Sequence, residues 1–521
     1  MNNSGNNYLP HLKKSLPRHA KGYSIGGYSI ALEGWRRGLN LKIKFDPQKK
    51  ARLPEFVLNN SEKSHYFYSA RGDLIYKEAR EICRNKEQTK EFLIKNNINT
   101  PKFYKFDAKN TNEDFLNFAN KLGYPVVLKP TQGRGGKGVI ANINSNKEML
   151  QAITYVRDEL KYEKFIVEEF LSGEDHRLYV VGDEVVGIFK RYPARVIGNG
   201  TDTIKVLLRT KNIERMKIPS LKDKPIKVDK ETIELLVRSG YTMESIPSKG
   251  EVVTLKTKNN ISSGGEAVDV TDEIKKEIKQ TAVKAVKSIP GLGHAGVDMM
   301  INEEQSHAGV IEINSQASIR THLFPSYGKA RDIPSALIDY YFPETKGHDH
   351  DKTSSSKLYF DFDHVYQSCI NGSSDYIDIP SIPSNIELKR LLMTSNKHTK
   401  KLENWLRTNA VKNQVSGYFK KTRTNRISLI IAGNRDDIDR YIKLVVEKSI
   451  DSVEYKVRKT PVMQGFHIVK GISEKKDLLE ENKKLKDEVE LLNRRHEKIL
   501  NSISWKITIP LRVLKKALNR F

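Results

Sequence analysis

Two groups of residues in this chain have the types and spacing for phosphate and metal chemistry. The first is "KPTQGRGGKGV", Lys129 to Val139, with four glycines and three basic residues in eleven positions. Gly133, Gly135 and Gly138 fit G-x-G-x-x-G. A dinucleotide fingerprint needs a helix directly after the loop, whereas "GVIANI" is apolar and β-branched and reads as a second strand. A Walker A loop fails too, because Thr131 and Gly138 stand where its first Gly and its Ser or Thr belong. What remains is a glycine-rich hairpin loop. Its backbone amides can approach an anion without a Cβ in the way, and Lys129, Arg134 and Lys137 add charge.

The second group lies in "GVDMMINEEQSHAGVIEINS". This reads as a hairpin turning near Gln305, which sets Asp298 opposite Glu312. Opposed side chains on paired strands are about 4.5–5.5 Å apart at Cβ. Asn314, two residues on, points to the same face. Like charges opposed in a sheet are unfavourable unless a cation neutralises them. An all-oxygen set suits a hard ion that also holds phosphate oxygens, which describes Mg2+.

The elements that must hold these groups follow from periodicity. "SIALEGWRRGL" is predicted to be an amphipathic helix and "NLKIKFD" a strand after it. "NKEQTKEFLIKNNINTPKFYKF" gives a helix and a strand, and "GYPVVLKP" a buried strand. "NKEMLQAITYVRDELK" is a helix; "KFIVEEFL", "DHRLYVVGD" and "EVVGIFKRYPARVIG" are strands. A Lys-rich helical region, the acidic hairpin and a closing helix "IPSALIDYYF" complete the pattern. It is mixed α/β with antiparallel hairpins, not a doubly wound sheet.

These blocks, in this order, resemble the ATP-grasp superfamily, with the likeness strongest to the ATP-grasp portions of cyanophycin synthetases and bifunctional glutathione-synthesising enzymes. The residues that carry it are "GYPVVLKPTQGRGGKGV", "FIVEEFLSGEDHRLYVVGDEVVGIFKRYPARVIGNGTDTI", "NNISSGGEAVDVTDEI" and "HAGVDMMI…GVIEINSQASIRTHLFPSYGKARDI", spanning roughly Asn85 to Phe342. The resemblance implies a carboxylate–amine ligase that uses ATP and Mg2+ or Mn2+ and forms an amide through an acyl phosphate. It implies that Lys86 and Lys129 contact the ATP phosphates. Gln132, Gly133, Arg134, Gly135, Gly136, Lys137 and Gly138 would form the closing loop. Glu168, Glu169, Phe170 and Leu171 would form the adenine hinge, with Glu174 on the ribose. Arg177 and Lys190 would lie near the transferred phosphoryl group and Arg320 on the substrate side. Asp298, Glu312 and Asn314 would bind the metal, and Ser263 to Glu266 would lie near the acceptor. One departure is clear: the Mur-ligase-like half of cyanophycin synthetases, with its G-T-N-G-K-T loop, is not present, so cyanophycin is not the expected product.

The expected organisation is α/β and α+β and multidomain. An N-terminal α/β region (1–84) precedes an ATP-grasp domain (85–345) and a polar linker (346–356). Residues 357–470 resemble a ferredoxin-like, acylphosphatase-like domain in the spacing of "GYFKKTRTNRISLIIAG". Lys421 stands where that family's catalytic Asn would be, and Asn425 where a turn Gly would be, so a degenerate docking domain is expected. Leu478, Leu485, Leu492 and Ile499 recur every seven residues and predict a short coiled coil over 471–504, a route to self-association. The tail 505–521 is basic and amphipathic and could lie on the inner membrane face.

Bulk properties bound the partners. The formal charge of +26 suits an anionic polymer or a phosphorylated ligand, although Lys-rich composition alone can produce it. No aromatic-interleaved basic patch or recognisable module points to nucleic acid. The two cysteines exclude a disulfide framework, and no apolar signal or spanning segment is seen, so a cytoplasmic protein is expected. The expected substrate is an amino acid or peptide, on a cell-surface polymer or its precursor. The competing expectation is a nucleotide-binding scaffold that assembles partners through the coiled coil without catalysis.

Overall fold

The computed structural model describes residues 8–46, 48, 53–107, 109–132, 138–350, 353–394, 400–421, 426–448, 452–457 and 460–469. The expected coiled coil, the tail, Asn425 and loop residues Gly133, Arg134, Gly135, Gly136 and Lys137 lie outside them. The chain divides into two compact units, Met1–Ser384 and Asn385–Phe521.

In the first unit, the helix Ser24–Arg36 packs on an antiparallel sheet ordered Ile377–Ile379, Asn40–Lys44, Glu55–Asn59, Ser64–Tyr68, Arg71–Gly72. The helix was expected to be amphipathic. It is instead buried on nearly every side, Glu33 and Arg36 included. Sheet strands and the helix Ile333–Tyr341 enclose it. Its charges survive because they are paired. Arg37 Nε donates to Glu33 Oε1 at 2.7 Å, and Arg36 donates to the carbonyls of His11, Ser356 and Leu358.

A four-stranded sheet follows, ordered Phe103–Asp107, Lys164–Glu169, Val126–Pro130, Ile140–Ile143, antiparallel throughout. Val126–Pro130 is buried at every residue, as its apolar run predicts. Two helices cover this sheet. Asn112–Leu122 starts at a capping box between Thr111 and Asp114, and Asn146–Ile153 at a Ser145 cap. A third antiparallel sheet is central to the unit. Its order is Glu266–Asp269, Glu184–Tyr192, Glu174–Val181, His294–Ile301, Ala308–Asn314. One face of it carries Leu178, Ile188, Val297 and Ile313 and forms a core with the helix Lys276–Lys287. Strand alternation turns Arg177, Asp298 and Glu312 to the other face.

The units divide at Ser384/Asn385, not at 346–356. His350, in the expected linker, is packed against Glu33, and Ile377–Ile379 pairs with Asn40–Lys44. The helix Phe362–Ile370, in "YFDFDHVYQSC", therefore belongs to the first unit. Hydrophobic residues such as Phe360 and Phe362, stacked edge-on against Tyr28 and Trp35, draw this segment onto the N-terminal layer.

The second unit runs strand Ile386–Thr394, helix Lys400–Lys412, strands Ser416–Lys421 and Arg426–Asn434, helix Arg435–Glu447 and strand Ser452–Val457. Its sheet order is Ser452–Val457, Ile386–Thr394, Arg426–Asn434, Ser416–Lys421, and neighbours are antiparallel. A short strand, Phe466–Val469, adds in parallel beside Ser416–Lys421. Leu391, Leu406, Leu429 and Tyr441 form its core.

Candidate nucleotide and metal site

The strand Val126–Pro130 delivers Lys129 to a buried cluster. Lys129 Nζ lies 2.5 Å from Glu168 Oε1, and Lys90 Nζ lies 2.9 Å from Glu168 Oε2. Burial opposes ionisation of Glu168, but the ammonium groups of Lys129 and Lys90 outweigh it and hold the carboxyl below its usual range. Burial pushes Lys90 down to about 8 against the pull of Glu168. Glu168 was expected at an adenine hinge. Its side chain instead turns inward to hold two lysines. Lys90 was not singled out from the sequence, although it sits one helical turn after Lys86, the first residue of the helix Lys86–Lys95.

Lys86 itself is buried, and its backbone N–H bonds Thr131 O at 3.2 Å, which holds the helix start beside the glycine loop. Gln132 is exposed at the loop entrance. Gly138 closes the loop with φ +75°, and a Cβ there would stand 3.1 Å from the Tyr162 ring. Glu169 accepts from the Lys102 N–H at 3.0 Å, Phe170 N–H donates to Pro125 O at 3.2 Å, and Leu171 packs over Gly309.

The central sheet carries the acidic face. Asp298 and Glu312 are register partners, as the hairpin reading predicts, and Gln305 takes a left-handed φ of 54° at the turn. Asp298 also stands opposite Arg177 on its other side. Arg177 Nη2 donates to Asp298 at 2.6 Å, and Arg191 Nη2 lies 2.7 Å from the same carboxylate and 3.0 Å from Asp175. Burial works against the Asp298 charge, yet these two guanidinium groups hold its pKa at about 2. Glu312 and Asn314 are half-buried, and Glu312 makes no ion pair among the described residues.

Arg177 and Lys190 were both expected near the transferred phosphoryl group. Phe189 stands opposite Arg177, so Lys190 leaves the strand on the other face, where it pairs with Glu174 and lies 4.8 Å over the Tyr192 ring. Arg191, one residue on, takes the place on the acidic face. The signal was present in strand alternation but needed the neighbouring strand to fix its parity. Glu174, expected at the ribose, is the partner of Lys190.

The two sheets are joined by a short relay. Lys90 Nζ reaches Thr100 Oγ1 at 3.1 Å, and Thr100 Oγ1 donates to Val310 O at 2.8 Å, two residues before Glu312.

Arg320 opens the short helix Arg320–Leu323 and is buried. Its guanidinium lies 4.1 Å over Tyr23, and its Nε and Nη1 have no hydrogen-bond partner. Lys224 Nζ lies 4.9 Å over the same ring. Burial, helped by Arg320, pushes Lys224 down to about 8. Tyr23 and Lys224 were not picked out from the sequence; neither sits in a recognisable motif. Of Ser263 to Glu266, Ser263 caps back to Asn260 O, while Glu266 is buried between Lys211 at 2.6 Å and Arg195 at 3.2 Å. No helix among the described residues is long and apolar enough to cross a membrane.

Residues 83–318 match the ATP-grasp domain family. The chain is 34% identical over 274 residues to the cyanophycin synthetase of Trichormus variabilis, covering 50% of this chain and 29% of that protein. It is 32% identical over 331 residues to the glutathione biosynthesis bifunctional protein GshAB of Clostridium perfringens, covering 60% of this chain and 40% of that protein. The chain thus spans well under half the length of these relatives. A crystal structure of a bifunctional glutathione synthetase from Pasteurella multocida shares 27% identity at a TM-score of 0.46, over 58% of this chain and 42% of that one.

Proposed function

Residues 83–318 form an ATP-grasp domain, and on that footing we propose that the chain is an ATP-dependent carboxylate–amine ligase. The observation that carries this reading is the oxygen face of the central sheet: Asp298 opposite Glu312, with Arg177 and Arg191 against it. Three oxygen donors fit a hard divalent cation, and the Glu312 carboxylate makes no direct ion pair among the described residues. Asp298, Glu312 and Asn314 would hold Mg2+ or Mn2+, which when bound neutralises phosphate oxygens.

In this reading the nucleotide lies between the four-stranded and central sheets. Lys86 and Lys129 bind its phosphates, and residues 132–138 close over them. The hinge segment 168–171 borders the base. The substrate carboxylate takes the γ-phosphoryl group, an amine attacks the acyl phosphate, and an amide forms as phosphate leaves. No protein nucleophile is needed, because such transfer rests on positioning and charge stabilisation. Arg177 and Arg191 stabilise the charge that builds on the transferred group. Arg320, with unpartnered N–H groups, binds the acceptor side. We read the substrate as an amino acid or peptide, on a cell-surface polymer or its precursor.

The second unit reads as ferredoxin-like. Its βαββαβ succession and the order of its first four strands support this. Self-association through 471–504 and membrane contact through 505–521 belong to the same proposal, and an ATP-consuming ligase belongs where ATP is made, in the cytoplasm. ADP release measured across panels of carboxylates and amines tests the central claim. A protein that binds ATP but releases no ADP with any amine and acceptor overturns it.

A further inference from the structure

Outside the ATP-grasp residues, the first unit buries a second cluster of donor atoms. His11 comes from the N-terminal segment, Glu33 from the helix Ser24–Arg36 and His350 from the segment after residue 342. Their ligand atoms all lie within 4.8 Å of one another. His350 Nε2 is 3.0 Å from Glu33 Oε2, while Arg37 occupies the other carboxylate oxygen at 2.7 Å. The carboxylate is therefore fixed with one oxygen turned to the imidazoles. His348 meets His350 edge-on, with ring centroids 4.9 Å apart. Asp332 lies 3.4 Å from His11 Nε2.

Two imidazole nitrogens here, His348 Nε2 and His350 Nδ1, are buried without a hydrogen-bond partner, and His350 Nε2 has only the Glu33 carboxylate at 3.0 Å. Buried polar atoms are nearly always satisfied, so two orphans beside an imidazole–carboxylate pair point to a missing ligand. The His350 Nε2 contact with Glu33 satisfies neither of these two nitrogens. Mg2+ does not suit the cluster, because two imidazoles with one carboxylate are the donor set of a borderline transition ion.

We propose that His11, Glu33 and His350 form a site for a divalent transition ion, with zinc as the fitting probe. The His11 and His350 rings now stack at 3.9 Å with 14° between their planes. One ion cannot lie in both planes, so binding turns one ring about its Cβ–Cγ bond and breaks the stack. The ion then clasps the N-terminal segment, the buried helix and the segment after residue 342 together.

The test uses full-length, metal-stripped protein. Zinc titration by calorimetry gives one site that persists in Glu312→Gln, which alters the acidic face without breaking a direct ion pair. Affinity falls at least roughly 100-fold in His350→Ala and in His11→Gln, since loss of even an outer-shell partner costs about 10–100-fold. Saturating zinc raises the melting temperature of the wild type by roughly 5 °C and leaves the variants unmoved. Wild-type zinc affinity in both variants, or no uptake by the wild type, overturns the proposal. If neither variant folds, cobalt substitution of the wild type decides. Visible d–d bands without a near-ultraviolet thiolate band support an N/O site, and their absence, or a thiolate band, defeats it.

Discussion

At the residue scale, the Lys129–Glu168–Lys90 cluster sets the first prediction. Lys129→Ala leaves Glu168 paired with Lys90, so its folding cost stays below about 3 kcal/mol, whereas Glu168→Gln strands two buried lysines and costs about 3–5 kcal/mol in urea unfolding. The order reverses for turnover. Lys129→Ala lowers ATP-dependent ADP release by roughly 100-fold or more, as removal of one preorganised charge contact does. Intact turnover in Lys129→Ala would falsify the phosphate role of this residue. The same reasoning separates Arg191 from Lys190. Arg191→Ala removes a guanidinium 2.7 Å from Asp298 and is expected to reduce turnover by at least roughly tenfold more than Lys190→Ala, which removes a partner of Glu174 on the far face. Equal kinetic losses would place both lysine and arginine at the site. Asp298 and Glu312 were legible in the sequence because one turn residue fixes the register of a short hairpin. Which face Lys190 takes was not legible, because strand parity depends on which residue of the next strand stands opposite, and that pairing is not written in either strand alone.

At the element scale, the turn between the strand Lys164–Glu169 and the strand Glu174–Val181 hangs on Gly173. Its φ is +130°, and a Cβ would stand 2.8 Å from Ile301 O. Gly173→Ala is therefore expected to cost about 1–3 kcal/mol and to weaken nucleotide binding, read by urea melts and by ATP titration. Unchanged affinity and stability would mean that this turn does not set the hinge. Most strands and helices around the site were legible, since apolar runs and caps such as Thr111 to Asp114 are local signals. The hairpin of Glu55–Asn59 and Ser64–Tyr68 was not. Its partly exposed, aromatic-rich second strand has no clean alternation. The buried helix Ser24–Arg36 was found but given the wrong surroundings, because its lining comes from residues up to 345 positions away, such as Pro380 accepting from Trp35.

At the scale of the whole molecule, two buried histidines tie stability to pH. His294 is held between the Tyr179 and Tyr341 hydroxyls at 3.2 and 3.1 Å, and burial pushes it down to about 3. Burial, with Arg177 and Arg331 nearby, pushes His322 to about 3 as well. Both are depressed below the ordinary value of about 6.5. The unfolded chain thus binds more protons between these values, so the full contribution is present above pH about 6.5 and drains away as pH falls toward 3. The slope approaches roughly 1.4 kcal/mol per pH unit for each histidine. Urea unfolding at pH 7.5 and 5.0 checks this: the double variant His294→Gln, His322→Gln should flatten the difference, and a wild-type slope in that variant would refute it. The segmentation into units was less legible than the fold of each. "PETKGHDHDKTSSSK" has linker composition, yet His350 within it is packed against Glu33 by a tertiary contact that composition cannot express.

The two-faced central sheet has one more consequence. The core residues Leu178, Ile188, Val297 and Ile313 lie on the side away from Arg177, Asp298 and Glu312. Half-buried side chains on the acidic face, such as Glu312 and Asn314, can then be exchanged while the helix Lys276–Lys287 keeps its seat on the other. Change in the chemistry of that face need not be change in what is folded.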